Sequence, residues 1–99
     1  ALEVARLEQG TLTLELRDGS LADVLAEAAR SFRPLAEARQ IRLEVQTAAG
    51  LPTLRLDAAR VLQVLSNLLG NALKHTEPGG RVRLAAALAG ERVRVSVAD

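Results

Sequence analysis

The segment at residues 57–75, DAARVLQVLSNLLGNALKH, constrains the fold most strongly, because its apolar residues repeat with the period of an α-helix. At about 100° per residue they cover roughly half of the helix circumference. Asp57 is a favoured N-cap residue, and the EPGG sequence at 77–80 ends the helix. The segment therefore predicts a long amphipathic helix that packs on an apolar layer through Val61, Leu62, Val64, Leu65, Leu68, Leu69, Ala72 and Leu73.

The segments on either side supply that layer. Apolar and polar residues alternate at 11–18, 41–47, 81–89 and 92–99, which predicts strands, and 51–57 is typical of a shorter one. The last two strands are joined by Gly90 and Glu91, which favours a hairpin. A second helix is predicted to follow the N-cap Ser20, and we expect Pro34 to kink or interrupt it. This order predicts an α+β fold, a two-layer sandwich with a mixed, mostly antiparallel sheet under the helices.

Composition limits the class of protein. The chain has 99 residues, a formal net charge of +1 and no cysteine, which predicts one domain without disulfides or thiolate metal sites. No basic run is present and Phe32 is the only aromatic residue, so we expect no nucleic-acid partner. No apolar run approaches the roughly 20 residues of a membrane span, which favours a cytoplasmic location for this part of the chain.

A polar stripe runs along the opposite side of the predicted 57–75 helix. Asn and Gly cost up to about 1 kcal/mol each in a helix interior, and a purely solvated face would be satisfied by Arg or Glu. An Asn carbonyl oxygen is a neutral, hard ligand for Mg²⁺, and a Lys ammonium group suits phosphate oxygens. The stripe therefore indicates a magnesium–phosphate site, although a simple solvated helix face remains the alternative. The stripe comprises Arg60, Gln63, Asn67, Asn71 and Lys74. Gly70 lies beside them and would let a ligand or backbone approach closely.

The sequence at 57–84, DAARVLQVLSNLLGNALKHTEPGGRVRL, resembles the N box of sensor histidine kinases, which share the Bergerat ATP-binding fold. In that family the pattern is Asn-x-x-x-Asn-Ala-x-Lys, then His or Tyr, Thr and a glycine-bearing turn. Residues 1–9 are similar to the end of the dimerisation helix in this family. Residues 10–99 are similar to the N-terminal part of its ATP-binding domain, so the expected fold is a truncated Bergerat sandwich.

The resemblance implies a role for each matching residue, with ATP and Mg²⁺ as the ligands. Asn71 would bind the Mg²⁺ that bridges the phosphates, and Lys74 and His75 would approach the phosphates or sugar. Asn67 stands where related Bergerat ATPases carry a glutamate that activates water, and an amide cannot act as that base. This favours phosphotransfer over hydrolysis. Asp99 would accept a hydrogen bond from the adenine amino group.

Departures from the family pattern leave alternatives open. The glycines expected after Asp99 and the phosphoacceptor histidine of the dimerisation helix are absent, so we expect this piece alone to be weak or inactive. His75 could instead be a surface or C-capping residue, and Asp99 an ordinary strand end. The expected parent is a two-component histidine kinase that acts with dimerisation helices and a response regulator, with membrane anchoring of the parent left open. The alternatives are an anti-sigma-type serine kinase, another Bergerat ATPase, or a non-catalytic interaction module that pairs as a homodimer through its open sheet edge.

Overall fold

The computed structural model describes residues 15–98. The expected N-terminal helix at 1–9, the first residues of the strand predicted at 11–18, and Asp99 lie outside this range. The described elements are, in chain order, strand β1 (Arg17–Gly19), helix α1 (Leu21–Ala38), strands β2 (Arg42–Thr47) and β3 (Leu54–Leu56), helix α2 (Ala58–His75), and strands β4 (Arg81–Ala89) and β5 (Arg92–Ala98).

The strands form two sheets in the described part of the chain. Strands β2, β4 and β5 form one sheet in that order, and β1 and β3 form a separate antiparallel pair. Strand β4 is parallel to β2 and antiparallel to β5, so the sheet is mixed and the predicted hairpin of β4 and β5 is confirmed. The parallel pair needs a crossover connection, which β3 and α2 provide. The predicted α+β sandwich is confirmed.

One face of the three-stranded sheet is buried under both helices. Alternate residues of β4, namely Val82, Leu84 and Ala86, are buried, while their neighbours are not. The helices contribute their apolar sides to the same cluster. The largest fully buried side chains are Leu21, Leu25, Val61, Leu65, Leu69, Leu73, Val82 and Leu84. The core is thus a single apolar layer, and it fixes which side of α2 faces outward.

Both helices are continuous over 18 residues. Pro34 was expected to kink or interrupt the first helix; the interruption is wrong, because α1 runs through Pro34 from Leu21 to Ala38, and the kink stays a prediction. Pro34 and Arg30, whose carbonyl loses its helical partner, are both exposed, so water can replace that hydrogen bond. Neither of the two described helices combines the length and apolar character needed to cross a membrane.

Candidate functional site

The outward side of α2 carries the predicted polar stripe. Asn67, Asn71 and Lys74 are exposed, whereas Leu65 and Leu69 on the opposite side are 0% exposed. At 1.5 Å of rise per residue, the two asparagines lie about 6 Å apart along the helix axis. Sequence reasoning therefore predicted the orientation of this helix correctly.

The beginning of α2 is held by its N-cap. Asp57 accepts hydrogen bonds from the backbone amides of Glu15, at 3.0 Å, and Arg60, at 3.2 Å. These two N–H groups, that of Glu15 foremost, hold the pKa of the Asp57 carboxyl below its usual range. The predicted N-cap is confirmed, and it sets where the first turn of the helix begins.

The structure divides the stripe into two parts. The Arg60 guanidinium donates a hydrogen bond to the Gln63 side-chain oxygen at 3.0 Å, so these two side chains are engaged with each other. Asn67, Asn71 and Lys74, one to three turns further along, make no side-chain hydrogen bond or ion pair with the rest of residues 15–98. Only this second part offers unengaged amide and ammonium groups to a ligand. We call Asn67, Asn71 and Lys74 the polar triplet.

Two residues beside the triplet differ from the sequence expectation. Gly70 was expected to give a ligand room, but it faces α1, since a β-carbon there would lie 3.8 Å from the Phe32 ring. Leu68 was assigned to the buried side, yet its side chain is 40% exposed. It lies near the boundary of the helix surface that the sheet covers, and it places an exposed apolar group next to Asn67.

The last turn of α2 is fixed by contacts that the local sequence does not predict. The Thr76 hydroxyl donates to the carbonyl of Ala72 at 2.7 Å, and the Arg39 guanidinium donates to the carbonyl of Leu73 at 3.2 Å. His75 is exposed and is not the capping residue, which is Thr76. Because Arg39 is 34 residues away in sequence, only the packing of the α1–β2 turn against α2 brings it here. Lys74 and His75 thus project from a firmly held turn.

Gly79 and Gly80 follow the helix, and each position favours glycine for a different steric reason. Gly79 has φ of +89°, and its N–H donates to the carbonyl of Gln40 at 2.7 Å. A β-carbon on Gly80 would lie 2.6 Å from the Thr76 methyl and 2.9 Å from the Glu77 carbonyl oxygen. The glycine turn expected from the sequence therefore serves a tight chain reversal that leads directly into β4.

The donor set of the triplet fits a phosphate-bound magnesium ion. Within residues 15–98 no cluster of three or more His, Asp or Glu residues could hold a metal ion. A Mg²⁺ ion usually keeps several waters and takes few protein ligands when it binds with phosphate. The neutral oxygen of Asn71 meets that need, and Lys74 lies nearly one turn away. Asp99, the expected adenine ligand, lies outside the described residues.

A cavity near the first turns of both helices is less suited to a nucleotide than the polar triplet is. It measures about 430 Å³ and lies between the N-terminal halves of α1 and α2. Asp23 and Glu27 on its rim would repel phosphate groups. Its remaining lining is small or apolar, from Gly19, Ser20, Val24, Leu56, Ala58, Ala59 and Leu62.

Comparison with known proteins finds a matching family and similar sequences. Residues 56–99, which include α2 and its turn, match the family described as histidine kinase-, DNA gyrase B- and HSP90-like ATPases. The alginate biosynthesis sensor protein KinB of Pseudomonas aeruginosa is 39% identical over 98 residues, which is 99% of this chain and 16% of KinB.

Two solved structures show the same fold. Full-length ShkA in complex with AMPPNP superposes with a TM-score of 0.83 and 39% identity, over 97% of this chain and 21% of that chain. Histidine kinase ThkA in complex with the response regulator TrrA gives a TM-score of 0.76 and 27% identity, over 85% of this chain and 25% of that chain.

The chain thus spans about a sixth of KinB and a fifth of ShkA. The family match, the similarity to KinB over 99% of this chain and the fold shared with ShkA agree with one another. Residues 56–99 match the histidine kinase-, DNA gyrase B- and HSP90-like ATPases, and the chain is a fragment of an ATP-binding domain similar to those of sensor histidine kinases.

Proposed function

We propose that the polar triplet binds Mg-ATP, in a sensor histidine kinase that transfers the γ-phosphoryl group to a histidine on a dimerisation helix. The observation that carries this proposal is the exposure of Asn67, Asn71 and Lys74 on one side of α2, with Arg60 and Gln63 already engaged with each other. Membership of the ATPase family and likeness to a kinase solved with AMPPNP support it.

Each side chain contributes a distinct interaction. The Asn71 oxygen ligates the magnesium ion, and Lys74 attracts phosphate oxygens. When bound, the magnesium ion neutralises phosphate charge. Asn67 can donate and accept hydrogen bonds but cannot remove a proton from water, so it orients the nucleotide without promoting hydrolysis. His75 borders the phosphate or sugar, and Asp99 accepts from the adenine amino group.

Transfer to protein requires partners beyond this chain. Residues 1–9 are proposed to be the end of the dimerisation helix, and residues 10–99 the N-terminal part of the ATP-binding domain. ThkA was solved with a response regulator, which supports a response regulator as the downstream partner of the parent kinase. Catalysis in the parent kinase would come mainly from positioning of the reacting groups and electrostatic stabilisation of the transition state. We expect the 99-residue chain alone to bind nucleotide weakly and not to autophosphorylate.

The test is a nuclear magnetic resonance titration of the ¹⁵N-labelled chain with AMPPNP at millimolar concentrations, with and without Mg²⁺. The chain has two asparagines, so their side-chain amide signals can be assigned by substitution. We expect magnesium-dependent shifts at Asn71 and Asn67, and weaker shifts with the GTP analogue.

Variants make the test specific. Asn71→Ala should abolish the magnesium dependence of the shifts, whereas Gln63→Ala, a control on the same helix whose side chain is bound to Arg60, should leave it intact. Shifts that map away from α2, or a magnesium dependence that survives in Asn71→Ala, would overturn the proposal and favour a non-catalytic module.

A further inference from the structure

Helix α1 ends in a turn that holds the backbone of Arg39 in one place. The Gln40 N–H donates to the carbonyl of Glu37 at 3.1 Å, and the Ile41 N–H donates to the carbonyl of Ala36 at 2.9 Å. This is the Schellman pattern, in which the residue after the C-cap adopts a left-handed conformation. Arg39 is the C-cap of α1, so hydrogen bonds from the residues that follow it restrain its backbone.

Gln40 occupies a backbone position that usually belongs to glycine. Its φ is +59°, and among residues 15–98 it is the only one other than glycine with a positive φ. A left-handed residue that carries a β-carbon persists where the surrounding contacts hold it in place. Two contacts lead from here to the turn after α2. The Gly79 N–H donates to the Gln40 carbonyl at 2.7 Å, and the Arg42 N–H donates to the Gly80 carbonyl at 3.0 Å.

From this turn, Arg39 reaches the peptide group that precedes Lys74. The Arg39 guanidinium donates to the carbonyl oxygen of Leu73 at 3.2 Å. That carbonyl and the N–H of Lys74 belong to one planar peptide group, so a restraint on the oxygen also restrains the plane to which the Lys74 α-carbon is attached. The Leu73 side chain is fully buried, which holds the other end of the same peptide group in the core.

The position of this carbonyl in α2 explains why a side chain from another element is needed. Helix α2 ends at His75, so Leu73 is among its last four residues. The carbonyls of those four residues have no N–H group further along the helix to bind. A guanidinium donor supplies the missing partner and complements the negative end of the helix dipole.

We propose that Arg39 is a positioning residue for nucleotide binding, which acts through Lys74 and does not touch the nucleotide. This inference rests on the proposed function, because it needs Mg-ATP at the polar triplet. The Lys74 side chain is long and flexible, so its reach toward a phosphate depends on where its α-carbon is held. Without the Arg39 hydrogen bond, the last turn of α2 would fray from its end. Asn71, four residues before the end of α2, would keep its place.

Arg33 offers a matched control in the same part of the chain. Its guanidinium also donates to a backbone carbonyl, that of Leu43 in β2, at 3.1 Å. Both of these hydrogen bonds are partly buried, and Arg33 belongs to the helix that Arg39 caps. Arg33→Ala therefore removes the same charge and the same kind of hydrogen bond as Arg39→Ala, but at β2 instead of α2.

The first measurement is the affinity of the ¹⁵N-labelled chain and its variants for Mg-AMPPNP, from the shifts of the Asn71 side-chain amide. Lys74→Ala should weaken binding roughly tenfold, the scale of a charge-assisted contact. Arg39→Ala should weaken it about fivefold, and Arg33→Ala less than about twofold. If Arg39 acts through Lys74, the two losses are not additive, so Arg39→Ala should cost less than about twofold once Lys74 is already alanine.

The second measurement needs no nucleotide. Relaxation of the backbone ¹⁵N nuclei gives an order parameter for each amide, which is about 0.85 in rigid backbone. Arg39→Ala should lower the order parameters of Lys74, His75 and Thr76 and leave those of residues 60–70 unchanged. Arg33→Ala should leave both sets at their native values. Unchanged order at Lys74 in Arg39→Ala would overturn the proposal.

The outcomes separate this inference from the proposed function. A native chain without a magnesium-dependent shift at Asn71 would contradict the proposed function, and the inference with it. A native response together with equal affinity in Arg39→Ala would overturn the inference alone. A loss that persists in the Lys74→Ala background would also overturn it, because Arg39 would then contact the nucleotide directly. An equal loss in Arg33→Ala would do the same, since a general effect of charge or stability would explain both.

Discussion

Replacing Gly70 with alanine is expected to stabilise the chain by about 1 kcal/mol, the cost of glycine relative to alanine inside a helix. Gly70 lies within α2 and is not among the glycines with positive φ, so alanine meets no backbone strain. Its β-carbon would lie 3.8 Å from the Phe32 ring, an ordinary contact that adds about 0.1–0.2 kcal/mol per atom pair.

Urea unfolding followed by circular dichroism at 222 nm measures this change. For a domain of this size, 1 kcal/mol corresponds to a rise in Tm of about 4–8 °C. Gly79→Ala is the control, because φ of +89° should make that alanine destabilising by about 1–2 kcal/mol. A lower stability of Gly70→Ala would refute the helix-interior argument. A higher stability accompanied by loss of AMPPNP binding would instead show that Gly70 makes room for the nucleotide.

Further predictions concern the core, the turn and the N-cap. Leu69→Ala should lower the free energy of unfolding by about 2–5 kcal/mol, because Leu69 is 0% exposed. Leu68→Ala, one residue away but 40% exposed, should cost less than about 1 kcal/mol in the same urea assay, and equal losses would contradict the assignment of the buried side. Gly80→Ala should destabilise by about 1–3 kcal/mol, since its β-carbon would lie 2.9 Å from the Glu77 carbonyl oxygen; an unchanged Tm would argue against this turn geometry. The pKa of Asp57 is lower in the folded than in the unfolded chain, so its charge stabilises the fold above the unfolded pKa of about 3.9. That contribution is lost as pH falls through the folded pKa, so the stability difference between the native chain and Asp57→Asn should shrink below about pH 4, and a pH-independent difference would contradict it.

Most of the site could be predicted from local sequence. The Asp57 cap, the apolar period of residues 57–75 and the glycine turn specify α2 and its outward side, since each depends on neighbours within a few residues. Asn67, Asn71 and Lys74 were accordingly placed on the exposed surface that the structure shows. Their roles toward ATP and Mg²⁺ stay predictions.

The residues at the borders of that surface could not be predicted in the same way. Whether Leu68 is covered and what Gly70 faces depend on where the sheet and Phe32 lie, and periodicity contains no such information. Arg39, which holds the last turn of α2, likewise reaches it only through the packing of the α1–β2 turn.

By itself, then, the sequence determined the helices, most strand positions and the polar stripe of α2, because caps, turns and hydrophobic period act over one or two turns of chain. Tertiary structure decided the parallel pairing of β2 with β4, the continuity of α1 through Pro34 and the contact of Arg39 with the last turn of α2. Strand pairing joins residues that are distant in sequence, and burial depends on which surfaces meet. Such relations exist only once the chain has folded.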